Sequence, residues 1–237
     1  MCLSLIRSLH ISLAGESISN GKDAKQSSTD DIHVASRALD ISYLNSGSLT
    51  ARGNLSWWDL DLRGYFTISN ITLTARNSTV THMTNAYVEV ADKDISLCSD
   101  VQAVWCGAVP HGIAPGEKVT FTCNGIAPVR FVRVTRRSPN HIPLAIGHVD
   151  VQGEGATKPY RSHYKPSPNK KMLQPFLATS ATTVGDCGIV CHKHHSCIDF
   201  SYSATAPTDD NCLLTDKALT SVHIKDNSWT TYTIYCI

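Results

Sequence analysis

The chain has 237 residues, of which 42% are apolar and 17% are charged, and this composition is typical of a globular protein and excludes a disordered one. The formal net charge is +1, so no broad electrostatic field favours nucleic acid or an anionic membrane as a partner. The length allows one large domain or two smaller ones, and no apolar run is long enough to predict a membrane-spanning helix.

The first fifteen residues, MCLSLIRSLHISLAG, are similar to a secretory leader, but Arg7 and His10 interrupt the apolar stretch. We interpret them as a truncated or atypical leader, and the alternative is a frayed intracellular terminus. Three N-x-S/T sequons, which predict glycosylation of a secreted, extracellular protein, begin at Asn54, Asn70 and Asn77.

Short runs of alternating apolar residues dominate the chain as far as residue 153. Turn residues bound these runs, which lie at 65–76, 86–92, 118–123, 129–137 and 147–153. A phase slip at Ser69-Asn70 predicts a bulge in the first run. The pattern favours a mainly β fold, an antiparallel β-sandwich or jelly roll, without a helix of useful length.

Residues 154–174 are predicted to be a basic, proline-rich linker. The stretch GEGATKPYRSHYKPSPNKK (153–171) holds three prolines and five Lys/Arg residues and shows no hydrophobic period. The chain therefore divides into a larger domain at 14–153 and a smaller domain at 175–237.

The smaller domain is predicted to be a disulfide-rich α+β unit. A helix can begin at Thr183 with Asp186 in its first turn, which places Cys187 and Cys191 on one helical face. Strands are predicted at 198–204, 211–216 and 229–236.

Five of the nine cysteines lie between residues 187 and 236, a clustering that indicates a disulfide framework in an oxidising compartment. Zinc is the alternative, because CHKHHSC (191–197) mixes cysteine and histidine, but the cysteine spacings of x3, x5 and x14 differ from the tight pairs of zinc sites. In the larger domain we predict a Cys106–Cys123 bridge, which would close a short loop between two strands.

Nine short motifs follow one another along residues 14–153. They are AKQSSTD (24–30), ASRALD (35–40), WWDLDL (57–62), ISNITLTAR (68–76), NAYVEV (85–90), WCG (105–107), FTC (121–123), VRFVRV (129–134) and GHVDVQG (147–153). Taken together they resemble the F-type lectins, the fucolectin branch of the discoidin-like (F5/8 type C-like) jelly rolls. The resemblance implies a calcium-stabilised β-jelly roll that binds sugar, usually fucose, in loops at one end.

Fucose recognition in that family rests on one histidine and two arginines. Arg76 stands in the place of the first arginine, directly after ISNITLTA, and Ser78 replaces an aspartate of the motif. The place of the second arginine falls on His82 if one residue is deleted and on Met83 if none is, and Arg52 lies where the histidine is expected. The resemblance therefore implies a partly altered sugar site made of Arg52, Arg76 and His82.

Three interpretations of this site stay open: fucose binding, binding of another glycan or polar ligand, and a structural or protein-binding role. In the last of these, Arg76 is a surface residue at a strand end, and a glycan on Asn77 covers the mouth of the pocket. Weak single-site lectins usually need multivalency, so a homo-oligomer is expected if the chain binds sugar.

The resemblance also implies calcium as a cofactor. Asp40, Ser42 and Ser48 match the positions of the calcium loop, whereas His148 replaces an acidic residue of the last strand and Gly147 replaces a cysteine. Many ligands of this site are main-chain carbonyls, but the loss of a carboxylate weakens a site for a hard cation.

The smaller domain contains C-x3-C-x5-C-x-x-F-x-Y, at Cys187, Cys191, Cys197, Phe200 and Tyr202, followed by Cys212. This pattern resembles the PAN/apple modules, which bind proteins or carbohydrates. The resemblance implies the bridges Cys187–Cys212 and Cys191–Cys197. It leaves Cys236 without its usual partner, so that Cys236 is free or pairs with Cys2 or Cys98.

Motifs of hydrolases, zinc proteases and nucleotide-binding enzymes are absent from the sequence, and no enzymatic activity is predicted. Asp59 and Asp61 face one side of a predicted strand, a spacing that could serve a glycosidase. Three classes of protein are weighed: an extracellular lectin with an apple-like module, a non-lectin adhesion protein that binds protein ligands, and a secreted hydrolase fragment.

Overall fold

The computed structural model describes residues 17–78, 82–96, 98, 101–123, 128–157, 164–194, 197–216 and 223–234. The strands are β1 (Asp23–Gln26), β2 (Ser48–Leu49), β3 (Leu55–Thr74), β4 (Ala86–Ala91), β5 (Val104–Ala108), β6 (Lys118–Thr122), β7 (Val129–Arg137), β8 (Ala145–Ile146), β9 (His148–Gly155), β10 (Tyr164–Met172), β11 (Leu177–Thr179), β12 (Asp199–Tyr202), β13 (Cys212–Thr215) and β14 (His223–Ile234). The α-helix α1 spans Val184–Lys193, and short 3-10 helices span Ala35–Leu39, Ile41–Tyr43 and Thr208–Asp210.

One long strand, β3, organises the first sheet. Its N-terminal half pairs with β1 and β7, and its C-terminal half pairs with β6 and β9, all antiparallel. The pairing with β7 shifts between Asp61 and Phe66, where Arg63 adopts a φ of 52°. Strands β4 and β5 extend the sheet beyond β7. The shift between Ile68 and Asn70 in the pairing with β9 confirms the predicted bulge.

The two halves of β3 contribute to a single core. Trp58 and Leu60 from the first half share a buried cluster with Ile71 and Leu73 from the second half, together with valines of β4, β7 and β9. Because alternate residues of a strand face opposite sides, such a shared core requires the halves of the sheet to pack face to face. The predicted antiparallel sandwich is therefore confirmed.

Trp58 ties the sandwich to the loop that precedes β2. Its side chain is fully buried, and its Nε1 donates a hydrogen bond to the carbonyl of Ala35, at 3.0 Å. The indole thereby fixes the segment of 3-10 helices over one end of the core. The neighbouring Trp57 is half-buried and lies under the guanidinium of Arg133, at 4.7 Å.

The second sheet is antiparallel and has the strand order β10-β14-β12-β13-β11. Helix α1 begins as predicted, because the side chain of Thr183 accepts from the backbone of Asp186 while the Asp186 carboxylate accepts from the backbone of Thr183. The small core beside it consists of Phe200, Leu214 and the four cysteines Cys187, Cys191, Cys197 and Cys212.

Three predicted disulfides are present: Cys106–Cys123, Cys187–Cys212 and Cys191–Cys197. The last two join α1 to β13 and to the residue pair before β12, which makes the zinc alternative for these cysteines wrong. Cys98 is also disulfide-bonded. Cys2 and Cys236 lie outside the described residues, as does the predicted leader at 1–15.

The linker prediction needs a correction. Tyr164–Met172, which lies inside the predicted linker at 154–174, forms β10 and pairs with β14. Pro166 and Pro168 had argued against a strand, but β10 is the edge strand of its sheet, where a residue without an N–H group is tolerated. Residues 158–163 of the linker lie outside the described part of the chain.

Within the described residues, α1 is too short and too polar to cross a bilayer, and no other helix there is long and apolar enough to do so.

Candidate functional site

Loops from distant parts of the chain meet at one end of the sandwich, where the 3-10 helices Ala35–Leu39 and Ile41–Tyr43 lie. The backbone amide of Asp30 donates to the carbonyl of Leu49 (3.0 Å), and the amide of Leu49 donates to the carbonyl of His33 (3.1 Å). Thr50 and Leu144 hold each other in the same way, since the amide of each donates to an oxygen of the other, at 3.0 and 2.9 Å. The loops around residues 30, 50 and 144 are therefore fixed to one another.

The side chain of Gln26 strengthens this arrangement. Its Nε2 donates to the hydroxyl of Thr29 and to the carbonyls of His33 and Leu49, at 3.0–3.1 Å. One planar amide thus satisfies acceptors on both loops. Gln26 was not predicted as a site residue, although it lies in the AKQSSTD motif, because its role depends on partners up to 23 residues away.

Arg76 follows β3 and enters this end of the molecule. The amide of Asn77 donates to the carbonyl of Leu44 (3.3 Å), and the amide of Gly147 donates to the carbonyl of Thr74 (2.9 Å). A Cβ atom at Gly147 would lie 2.8 Å from the carbonyl oxygen of Ala75, so only glycine allows this approach of the two backbones. These contacts fix the backbone on both sides of Arg76.

The side chain of Arg76 is half-buried, and its Nε is shielded from solvent without an acceptor among the described residues. Burial lowers the pKa of Arg76, and the positive charge of Arg37 lowers that pKa further, whereas Asp30 raises it. Arg37 lies over the ring of Tyr43, with the guanidinium 4.9 Å from the ring centroid.

His82 is held in place by the buried side chain of Arg136. The carbonyl of His82 accepts from Nη1 of Arg136 at 3.1 Å and from the amide of Ala145 at 3.3 Å. The same Nη1 donates to the carbonyl of Pro143 at 2.6 Å. Arg136 therefore acts as a positioning residue, and its membership of β7 gave no sign of this role in the sequence.

The segments that carry the three residues predicted to bind sugar are joined through residues 144–147. The amide of Ala145 donates to the carbonyl of His82, the amide of Leu144 to the hydroxyl of Thr50, and the amide of Gly147 to the carbonyl of Thr74. Burial lowers the pKa of His82, and the charges of Arg136, Arg76 and Arg52 lower it further. Both effects favour the neutral imidazole, in which one nitrogen donates and the other accepts. Arg52 is exposed at the rim, so the arrangement offers two guanidinium groups and one imidazole on a braced set of loops.

Of the predicted calcium residues, Asp40 and Ser42 lie in the segment whose Leu44 carbonyl accepts from the amide of Asn77, and Ser48 lies in β2. Oδ1 of Asp40 accepts from the amide of Ser42 (2.9 Å), and Ser48 is buried in β2. The carbonyls of Asp40, Ile41, Tyr43 and Leu44 already accept backbone hydrogen bonds. No group of three acidic, histidine or cysteine residues suited to a metal occurs among the described residues. One carboxylate fits a six- to eight-oxygen site for calcium poorly.

The three predicted glycosylation residues differ in accessibility. Asn54 and Asn77 are exposed, and Nδ2 of Asn77 donates to Oδ1 of Asn45 at 3.1 Å. Asn70 is half-buried within β3 and accepts from the hydroxyl of Thr122. Thr79, which completes the Asn77 sequon, lies outside the described residues.

The carboxylates of Asp59 and Asp61 are each engaged by an arginine. Asp59 accepts two hydrogen bonds from Arg133 (2.5 and 2.6 Å), and Asp61 accepts two from Arg130 (both 2.7 Å). Burial raises the pKa of Asp59, and the bonds from Arg133 oppose that rise. Both carboxylates therefore act as acceptors that fix β3 to β7.

No protein-family model matches the chain, and no curated protein is significantly similar to it. Among solved structures, a mutant of the lectin binding domain of Lectinolysin complexed with Lewis b is 24% identical, with a TM-score of 0.49 over 60% of this chain and 98% of that chain. A fucose binding module of Streptococcus pneumoniae is 22% identical, with a TM-score of 0.48 over 58% and 97% of the two chains. Chitosan-binding module 1 of a chitosanase/glucanase from Paenibacillus sp. IK-5 is 17% identical, with a TM-score of 0.47 over 59% and 100%.

Proposed function

We propose that this chain is an extracellular carbohydrate-binding protein and that Arg52, Arg76 and His82 contact the sugar. The observation that carries the proposal is the set of hydrogen bonds through residues 144–147 that joins the three separate segments carrying these residues. Each guanidinium presents several donors in a fixed plane, a geometry that suits neighbouring oxygen atoms of a sugar. The neutral imidazole adds an acceptor, which a sugar hydroxyl also needs.

The rigidity of the loops supports the same proposal. A sugar offers little apolar area, so a site that has to be ordered on binding would lose much of its affinity. Here the hydrogen bonds from Gln26, the Thr50–Leu144 pair and the close contact at Gly147 order the loops in advance. Fucose is the sugar that the sequence resemblance suggests.

The location and the second unit belong to the proposal as well. Disulfide bonds on both sheets favour an oxidising, extracellular compartment. The cysteine pattern, and the arrangement of α1 on its sheet among the described residues after 175, favour a PAN/apple-like interaction module that binds proteins or glycans, in recognition or adhesion. Homo-oligomerisation would raise the avidity of a weak sugar site.

We also propose calcium as a weakly bound cofactor at the same end of the molecule. Asp40 has a second carboxylate oxygen beyond the one that accepts from the amide of Ser42. If calcium binds there, its addition should raise the melting temperature relative to a chelator, and Asp40→Asn should abolish that difference. An identical melting temperature in calcium and in chelator would remove calcium from the proposal.

A non-lectin adhesion protein is the second candidate, and one observation favours it. The loop that carries the 3-10 helices exposes apolar side chains, with Ile32 58% and Ile41 57% exposed, and with Val34 and Tyr43 nearby. Apolar side chains that are grouped on a surface often mark a site of protein contact. A protein ligand of these loops would not need Arg52 or His82.

A glycan array separates the two candidates. The protein should be produced through a secretory route and compared with two variants, Arg76→Ala and Arg137→Ala. The second variant is the control, because it removes an exposed arginine at the last position of β7. The proposal predicts glycan binding by the wild type and by Arg137→Ala, and a loss of at least about tenfold in Arg76→Ala. A folded wild-type protein that binds no glycan would favour the adhesion candidate.

A further inference from the structure

We propose that the sugar bound at Arg52, Arg76 and His82 carries an anionic group, a carboxylate or a sulfate ester, and that this group sits against the two arginines. The inference rests on the proposed glycan-binding function and specifies its substrate class. It follows from the balance of charge and of hydrogen-bonding groups in the loops.

The site is rich in donors and poor in acceptors. A guanidinium carries five N–H donors and no acceptor, whereas a sugar hydroxyl both donates and accepts. Arg37 lies in the first 3-10 helix, and Arg52 and Arg76 each lie two residues after a threonine that is bonded to the 144–147 segment. Arg136 donates to the carbonyls of His82 and Pro143, and the imidazole of His82 supplies one acceptor nitrogen. A carboxylate or a sulfate only accepts at neutral pH, so it matches such a site better than a hydroxyl does.

The positive charge is not neutralised within the described residues. The ion pairs there are Lys25–Asp94, Arg63–Asp23, Arg130–Asp61 and Arg133–Asp59, and none of them includes an arginine of the site. Asp30, which is exposed, is the one carboxylate whose charge opposes the effect of burial on Arg76. A bound anion would therefore neutralise charges that the free protein leaves partly buried and unpaired.

Arg136 is held away from solvent, and Arg76 is partly shielded from it. Arg136 is buried, and its Nη1 is held by the carbonyls of His82 and Pro143, while its Nε has no acceptor among the described residues. The Nε of Arg76 is also shielded without such an acceptor. Fixed cations of this kind lose little entropy when an anion binds, in contrast to flexible lysines.

Anion binding should also be linked to protonation of His82. The groups whose charges act on this imidazole are Arg136 on β7, Arg76 after β3 and Arg52 before β3, all of them positive. An anion beside them would offset their effect and favour the imidazolium ion. Protons would be taken up on binding, so the affinity for an anionic sugar should rise as the pH falls through the histidine range, whereas the affinity for a neutral sugar should fall or stay constant.

A second basic surface has to be distinguished from the arginines of the sugar site. Strands β10 and β14 form a ribbon on which Lys165, Lys170, Lys171 and Lys225 are placed, with Lys170 opposite Lys225. This lysine ribbon could attract polyanions without selecting a sugar. Lys165 and Lys170 are exposed, so replacing them removes positive charge at little risk to the fold.

The test compares glycans that share one neutral core. The neutral form, a sialylated form and a sulfated form are titrated into the wild type, Arg52→Ala, Arg76→Ala and the ribbon control Lys165→Ala/Lys170→Ala. We expect one anionic form to bind at least about tenfold more tightly than the neutral form. We expect Arg52→Ala and Arg76→Ala to lose most of that preference and the ribbon control to keep it. The sialylated and sulfated forms identify the source of the anion.

Three other outcomes would overturn either this inference or the proposed function. Equal binding of neutral and anionic forms would overturn this inference and leave the proposed function standing. A preference that disappears in the ribbon control and persists in Arg52→Ala would place the anion elsewhere and also overturn it. If no form binds to the folded wild type, the proposed function itself is wrong. Because Arg52 is exposed, its replacement keeps the test valid even if Arg76→Ala folds poorly.

Discussion

At the scale of single residues, His82 reports most directly on the arginines around it. Its pKa should lie below the usual value of about 6.5, because burial and the three neighbouring arginines disfavour the imidazolium ion. NMR of the imidazole over a pH series measures this. Arg76→Ala should raise the pKa of His82, and Lys165→Ala should leave it unchanged. A normal pKa in the wild type would contradict this effect of burial and of the arginines.

The lowered pKa also sets the sign of the pH effect on stability. The unfolded chain, with its histidine pKa near 6.5, binds the proton more readily than the folded chain does, so stability should rise with pH between the folded and unfolded pKa values. The contribution of His82 is therefore lost as the pH falls below about 6.5. Urea unfolding of the wild type and of His82→Gln at several pH values checks this. The variant should show a smaller loss, and equal slopes would count against the prediction.

Gly147 provides a second residue-scale test, since a Cβ there would lie 2.8 Å from the carbonyl of Ala75. Gly147→Ala should reduce the free energy of unfolding by roughly 1–3 kcal/mol, because one of two packed backbones has to move. Gly53→Ala is the matched control, since the nearest atom to its added Cβ is 3.8 Å away. Similar losses in the two variants, measured by urea unfolding, would show that the close contact does not form.

At the scale of elements, the stability of the pairing between β3 and β7 depends on ion pairs between their side chains. Asp59 is buried and is held by two hydrogen bonds from Arg133, whereas the Arg63–Asp23 pair is exposed on the Asp23 side. Asp59→Asn should lower the free energy of unfolding by roughly 3 kcal/mol because it leaves a desolvated guanidinium without its counter-ion. Asp23→Asn, at an exposed pair, should lower it by about 1 kcal/mol or less. Equal effects in thermal or urea unfolding would contradict the difference in burial.

The elements also show where the sequence was sufficient and where it was not. Strand β7 and the start of α1 follow from local signals, namely the alternation of residues 129–137 and the Thr183–Asp186 capping box. Strand β10 does not follow from local signals. A strand accepts Pro166 and Pro168 only at a sheet edge, and only the tertiary structure shows that β10 lies there. Gln26, Arg37 and Arg136 were missed as site residues for the same reason, since their partners are distant in sequence.

At the scale of the whole molecule, the two sheets should respond differently to reduction. The first sheet has a core of many apolar side chains. In the second sheet, four of the six residues in the buried core cluster are disulfide-bonded cysteines. Loss of a native disulfide from such a small unit typically removes about 2–5 kcal/mol. Hydrogen exchange under reducing conditions should therefore show opening of β11–β14 while β3, β4 and β7 stay protected. Simultaneous opening of both sheets would show that their stabilities are coupled.

The central claim is that a glycan binds to the loops that carry Arg52, Arg76 and His82, and the most direct measurement is an NMR titration of the 25.8 kDa chain with its best array ligand. We predict the largest shifts of backbone and side-chain signals at those three residues and along residues 28–33 and 49–52. Large shifts confined to β10, β14 or α1, with none at Arg76 or His82, would contradict the claim and place the binding site on the second sheet.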